Sequence, residues 1–278
     1  MDVPFVKMQG IGNDFIVVDA RERQACDWPV VAERMCRRHF GIGADGLLVI
    51  GADPDADARM DMYNPDGTPD FCGNGLRCVA RYVADRQAPS GPSALRIATM
   101  AGTRSCRVDR GPSSVAVTVD MGQPSFDPRS IPMAVDLPEV IDYPLALSRG
   151  SLVISALSTG TAHAVAFVEA LPDDAAFRTV SEEVETHPLF PERTSLMWVR
   201  RDAPDRLTLR IWERGAGETL ACGTGACAAA AAARRKGLAE GSVVVASAGG
   251  ELIIGWEPDG RLRMTGPAEY VFEGSFPW

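Results

Sequence analysis

Four residues occur twice in nearly the same form. Cys72-Gly73-Asn74-Gly75 leads into a helical pattern, and Cys222-Gly223-Thr224-Gly225, 150 residues later, leads into another. Each helix carries a further cysteine in its first turns, Cys78 and Cys227. Gly12-Asn13-Asp14, ahead of a strand, has a looser counterpart in Gly160-Thr161-Ala162, 148 residues on. An offset that persists near 150 argues for two similar halves. The length of 278 residues agrees, at roughly 150 residues per domain. Each half then reads as an α/β unit whose sheet surrounds one helix. The alanine run at 228–233 fits a helix that strands approach closely.

The rest of the pattern is mostly strand. Residues 5–8 and 15–19 alternate on either side of a Gly-rich turn and predict a hairpin. A helix is predicted over 28–40, strands over 47–50 and 59–63, a turn at 64–67, and a helix over 73–86 that stops near Pro89. Strands follow near 94–99, 103–109 and 115–120. The proline-rich stretch 121–150 predicts loops with short strands. Beyond it come strands near 152–157 and 163–168, a helix near 173–186, and strands near 195–200 and 207–213. A helix over 223–236 ends at Gly237, and strands close the chain near 242–247, 251–256, 261–265 and 269–273.

The Cys-Gly-x-Gly turns carry the chemistry. Glycines at a helix start permit a tight turn and leave backbone N–H groups uncovered. Those donors and the helix macrodipole form an anion site suited to a carboxylate. A cysteine at the mouth feels the same positive potential, so its thiol pKa is expected to fall. Two such turns around one carboxylate would place a sulfur on either side of the adjacent α-carbon. One thiolate could then remove the α-proton and the other thiol return a proton to the opposite face. Two helix ends would stabilise the charge that develops.

These residues resemble the diaminopimelate epimerase family. The resemblance runs nearly the full length, through residues 7–15 (KMQGIGNDF), 41–46 (GIGADG), 64–67 (NPDG), 72–78 (CGNGLRC), 190–193 (FPER), 213–219 (ERGAGET) and 221–227 (ACGTGAC). It implies an α+β fold of two pseudo-symmetric halves, each a mostly antiparallel, barrel-like sheet around a central helix. The halves would be 1–121 with 267–278, and 122–266, with the active site in the cleft between them. It also implies cofactor-independent conversion of L,L- to meso-diaminopimelate, for lysine and peptidoglycan synthesis, in a cytoplasmic homodimer. Carried over residue by residue, the catalytic cysteines fall on Cys72 and Cys222, and their helpers on His163 and Glu213. The cradle of the reacting carboxylate falls on Gly73, Asn74, Gly223 and Thr224. The distal end of the substrate falls to Asn13, Asn64, Glu213 and Arg214.

Two positions depart from the family. Gly160-Thr161-Ala162-His163 stands where Gly-Asn-Pro-His is usual, and Ser195 stands where an asparagine is usual. Thr161 and Ser195 would meet the distal end with shorter side chains that lack the amide's separate donor and acceptor. A racemase of another amino acid is therefore an alternative. Arg214 argues for keeping a distal carboxylate, because a bidentate guanidinium pair is the strongest recognition available there.

Other classes fit less well. The net charge of −9 disfavours a phosphate-backbone binder, so no nucleic-acid partner is expected. No apolar stretch approaches the ~20 residues of a spanning helix, no secretory signal is visible, and no membrane partner is expected. Seven cysteines, an odd number in a chain this long, read as thiols in a reducing compartment. Gly41-x-Gly43-x-x-Gly46 matches a dinucleotide fingerprint, but with the helix before it and the strand after it. Asp53-x-Asp55-x-Asp57 lacks the glycine and glutamate that a calcium loop needs. The cysteine pairs are too widely spaced for a metal site. The only lysines, Lys7 and Lys236, sit at unconvincing places for a pyridoxal Schiff base. A Cys/His hydrolase built on Cys72 and His163 would leave Cys222 idle, and a non-catalytic amino-acid binder would leave both sulfurs idle.

Overall fold

The structure is a computed structural model, and it describes residues 2–22, 26–88, 90–112 and 114–278. Strands are numbered β1–β18 and helices α1–α4 along the chain. The chain divides into two units, residues 1–120 with 265–278, and residues 121–264. Among the described residues no helix is long and apolar enough to cross a membrane.

The first unit opens with β1 (Asp2–Gly10) and β2 (Asn13–Asp19), the expected hairpin. Ile11 and Gly12 both take positive φ at its turn, 52° and 84°, the geometry that a two-residue hairpin turn needs. After α1 (Trp28–Met35) come β3 (Gly46–Gly51), β4 (Ala58–Tyr63), the short β5 (Pro69–Asp70), α2 (Gly73–Gln87), β6 (Ser93–Ala98), β7 (Arg104–Arg110) and β8 (Val115–Gly122). The C-terminal strand β18 (Glu269–Pro277) pairs antiparallel with β1. From β1 the ladder runs antiparallel to β2, parallel to β3, antiparallel to β4, parallel to β6 and antiparallel to β7. α2 packs against β1, β2, β3, β4, β6 and β7, and 11 of its 15 residues are buried.

The second unit repeats that sequence of pairings. It contains β9 (Val140–Leu147), β10 (Gly150–Ser158), β11 (Ala162–Val168), α3 (Asp174–Glu185), β12 (Ser195–Ala203) and β13 (Arg206–Glu213). They are followed by β14 (Gly217–Thr219), α4 (Gly223–Arg235), β15 (Val243–Ser247), β16 (Gly250–Trp256) and β17 (Leu262–Pro267), which returns the chain to the first unit. From β10 the ladder runs antiparallel to β11, parallel to β12, antiparallel to β13, parallel to β15 and antiparallel to β16. α4 packs against β10, β11, β12, β13, β15 and β16. All its residues from Gly223 to Ala233 are buried, so the alanine run is the core of a curled sheet. Gly237 at φ 68° closes α4: its N–H reaches the Arg234 carbonyl and the Leu238 N–H reaches that of Ala233. These are the two bonds of a Schellman cap.

The expected α+β architecture of two like halves, each wrapped round one helix, is thus observed. Two local expectations are corrected, while the expected extent of α2 is observed to within one residue. α1 stops at Met35, not near residue 40, because the N–H groups of Ile42 and Gly43 both turn back to the Met35 carbonyl. A Cβ at Gly41 would lie 2.2 Å from the Arg34 carbonyl oxygen, so only glycine permits that return. The stretch 121–150 holds a full eight-residue strand, β9, in which Pro144 pairs with Val153 of β10. α2 ends at Gln87, and Pro89, the expected stop, lies outside the described residues.

Candidate active site

Cys72 and Cys222 are the N-cap residues of α2 and α4. Their backbones match, with φ −132° and ψ 119° at Cys72 and φ −134° and ψ 111° at Cys222. An N-cap residue stands at the positive end of its helix, beside N–H groups that have no partner inside the helix. Gly73 and Asn74, and Gly223 and Thr224, are the first two residues of each helix and are buried. A Cβ at Gly75 would lie 2.9 Å from Leu48 Cδ2, and one at Gly225 would lie 2.4 Å from Met197 Sδ. A side chain in fourth place would therefore have to displace Leu48 in one turn and Met197 in the other.

In the first unit the Cys72 thiol donates to Asn13 Oδ1 at 3.5 Å. Asn74 Nδ2 donates to the same oxygen at 3.2 Å, and Asn74 Oδ1 accepts from Arg77 Nη1 at 2.7 Å. Asn13 Nδ2 in turn donates to Asp45 Oδ2 at 2.7 Å. Asp45 also takes the backbone N–H of Asp14 and the Arg38 guanidinium. Asp14 is bound by Lys7 at 2.5 Å and by Arg38 at 2.7 Å. Burial pushes the Asp14 carboxyl up, but those two cations outweigh it and hold the group below its usual value. Buried Lys7 is thus tied into an ion pair with half-buried Asp14 and donates to the Gly43 carbonyl as well. Asn13, which the resemblance assigns to the distal end of the substrate, thus lies against Cys72 and Asn74. Asn64 heads the turn at 64–67 and donates to Thr68 Oγ1 at 3.1 Å and to Asp70 Oδ2 at 3.4 Å.

In the second unit Cys222 is 7% exposed. Its Sγ accepts the Gly225 N–H at 3.3 Å and lies 3.4 Å from Thr224 Oγ1. Glu213, the last residue of β13, hydrogen-bonds the thiol, and its Oε1 takes the Thr219 hydroxyl at 2.6 Å. Burial first, and the Glu213 charge second, push the Cys222 thiol well above the ordinary cysteine value. The lowered pKa expected from the helix end is corrected for this residue: Thr224 and the Gly225 N–H pull in that direction but do not outweigh burial and the carboxylate. Cys222 at rest is a thiol, the acid form.

His163, on β11, is wholly buried, with its Nε2 3.0 Å from Thr161 Oγ1. Burial, then the nearby Arg214 charge, lower its pKa to about 3, so the ring is neutral. The parallel β11–β12 ladder sets His163 opposite Ser195. Ser195 Oγ accepts the Arg214 backbone N–H at 3.1 Å, and Arg214 Nη1 donates to the Glu192 carbonyl at 2.9 Å. The Arg214 side chain is exposed. Thr161, His163, Thr224, Cys222 and Glu213 thus form one hydrogen-bonded group, with Ser195 beside His163.

Sequence reasoning assigned no role to Asp45, Arg77 or Thr219, the residues that hold Asn13, Asn74 and Glu213. Two of them carried a readable signal. Asp45 lies in the Gly-rich run at 41–46, and Arg77 is a charge in the middle of an otherwise apolar helix turn.

Three comparisons bear on what this arrangement is. The family model for diaminopimelate epimerase matches residues 5–126 and 155–271. The diaminopimelate epimerase of Moorella thermoacetica is 45% identical over 277 residues, covering 98% of this chain and 99% of that protein. That of Desulfitobacterium hafniense is 40% identical over 274 residues, covering 97% and 96%. Among solved structures, a hydroxyproline epimerase from Agrobacterium vitis superposes with a TM-score of 0.74 at 15% identity, covering 99% of this chain and 91% of that one. A phenazine biosynthesis protein of the PhzF family from Bacillus anthracis gives 0.70 at 16% identity, with both chains fully covered. At such identities the two structures speak for the fold alone, whereas the sequence matches span the whole length, and this chain belongs to the diaminopimelate epimerase family.

Proposed function

We propose that this protein is an isomerase that converts L,L-diaminopimelate to meso-diaminopimelate without a cofactor, with Cys72 and Cys222 as its acid–base pair. The observation that carries the reading is the duplicated N-cap. Each unit starts a buried helix on a cysteine of the same backbone geometry, followed by two buried residues whose N–H groups suit a carboxylate. In one direction a thiolate takes the α-proton, the C–H electron pair remains on carbon beside the carboxylate, and the other thiol supplies a proton to the opposite face. The first sulfur ends as a thiol and the second as a thiolate, so the roles reverse for the return reaction. The N–H groups of Gly73, Asn74, Gly223 and Thr224 bind the carboxylate where negative charge builds up. Glu213 beside Cys222 is positioned to accept that thiol's proton, and neutral His163 serves as a hydrogen-bonding helper. Asn13, Asn64, Ser195, Glu213 and Arg214 hold the distal amino-acid end.

The same reading makes the enzyme a cytoplasmic homodimer that serves lysine and peptidoglycan synthesis, with a small amino acid as its ligand. The full-length relatives favour diaminopimelate over another amino acid and over a Cys/His hydrolase. The test is a panel of diaminopimelate isomers, lysine, glutamate and histidine, incubated with purified protein and resolved by chiral chromatography. Interconversion of L,L- and meso-diaminopimelate alone is expected. Turnover of another amino acid in preference, or release of a product of lower mass, would overturn it.

A further inference from the structure

A line of hydrogen bonds crosses the second unit and ends at a sulfur. His163 Nε2 lies 3.0 Å from Thr161 Oγ1, the Thr161 hydroxyl donates to Thr224 Oγ1 at 3.4 Å, and Thr224 Oγ1 lies 3.4 Å from Cys222 Sγ. The Thr159 hydroxyl donates to the Thr224 carbonyl at 3.0 Å and fixes the far end of the same turn. A hydroxyl has one proton to give. Thr161 spends it on Thr224, so toward His163 it accepts, which sets the ring as the Nε2–H tautomer. That leaves an acceptor lone pair on His163 Nδ1, a buried atom with no hydrogen-bond partner among the described residues. Thr224, having accepted from Thr161, has its own proton left for Sγ. Every donor in the line points toward Cys222, and bonds aligned in this way polarise one another.

We propose that Thr161 is a positioning residue for Cys222: its hydroxyl aligns Thr224 toward the sulfur and fixes the His163 tautomer, in place of the substrate-ligand role that the resemblance assigns to this position. An asparagine here would offer separate donor and acceptor atoms to a substrate. A threonine offers one atom, and that atom is already engaged on both sides. Around the sulfur, the Thr224 hydroxyl and the Gly225 N–H favour the thiolate, whereas Glu213 opposes it. The charged group facing His163 is Arg214.

The inference rests on Cys222 being an acid–base sulfur, but its test can be read without turnover. Protein labelled with 13C at the cysteine β-carbons is titrated by NMR, and the Cys222 resonance is identified by its loss in Cys222→Ser. Thr161→Val removes the hydroxyl at nearly constant shape and should raise the Cys222 midpoint by roughly half a pH unit or more. Thr161→Ser, which keeps the hydroxyl, should restore the wild-type midpoint, and Thr161→Ala is a second hydroxyl-free variant should valine disturb folding. In turnover, Thr161→Val should lower kcat and leave KM for diaminopimelate in place. An unmoved midpoint in both hydroxyl-free variants, an equal shift in Thr161→Ser, or a rise in KM at constant kcat would overturn the proposal. Absence of epimerase activity with the midpoint shift intact would instead count against the proposed function alone.

Discussion

Arg77→Met removes one guanidinium from the middle of α2 and asks how much of the first unit depends on it. Arg77 is fully buried. It donates to Asn74 Oδ1 at 2.7 Å and to the Pro267 carbonyl at 3.1 Å, joining the helix to the strand that brings the chain back. Methionine fills similar volume but donates nothing, so both acceptors lose their partner. A buried acceptor left without a donor costs about 1–3 kcal/mol, so the pair costs about 2–6 kcal/mol. Removing a buried charge offsets part of this, and about 2–4 kcal/mol remains. At roughly 2–4 °C per kcal/mol for a chain of this size, Tm should fall by roughly 4–16 °C. Calorimetry with parallel circular dichroism measures this. Asn74 also loses the group that orients its amide toward Asn13, the acceptor of the Cys72 thiol, so kcat should fall with stability. Arg77→Lys keeps the charge but not the fork, and should recover only part of either loss. A Tm within about 1 °C of wild type in Arg77→Met would refute the argument that this buried fork organises the Cys72 side.

Three further outcomes follow from the geometry. Gly225→Ala places a Cβ 2.4 Å from Met197 Sδ and 3.2 Å from Cys222 Sγ, in a fully buried spot, and should destabilise by about 1–3 kcal/mol in urea unfolding. Met197→Ala in the same chain opens that space, so a double-mutant cycle should show favourable coupling, and strict additivity would contradict the clash. His163 titrates near 3 in the fold against 6.5 in its absence, so the unfolded chain binds the extra proton and stability falls as pH drops from 6.5 toward 3. His163→Gln should flatten the dependence there by at most about 1.4 kcal/mol per pH unit, and an unchanged slope would refute a neutral buried ring. Arg214→Lys should raise KM for diaminopimelate, because a point charge cannot copy a bidentate fork; an unchanged KM would place the distal carboxylate elsewhere.

The duplicated architecture was legible because it is written twice. Cys-Gly-x-Gly ahead of an apolar helix marks the same N-cap in each half, and the strands around it alternate strongly enough to be read. β9 was not legible, because Pro144 reads as a loop signal, yet a strand can hold a proline where the missing N–H faces away from its partner. The end of α1 was missed because it depends on tertiary hydrogen bonds from Ile42 and Gly43, which no local pattern records. The direction of the Cys222 shift was misread for a related reason. A helix N-terminus is visible in sequence, but burial to 7% exposure beside Glu213, which precedes it by nine residues, is a product of folding. His163 and Ser195 are 32 residues apart in the chain, and only the parallel β11–β12 register makes them neighbours.

The central claim, that two sulfurs divide one proton transfer, is tested most directly by isotope content at early conversion in deuterated water. With separate acid and base, the newly formed isomer should carry one deuterium at the inverted carbon while the recovered starting isomer stays protiated there. Equal labelling of both isomers, or product that retains the original proton, would mean that a single group handles both faces and would contradict the account.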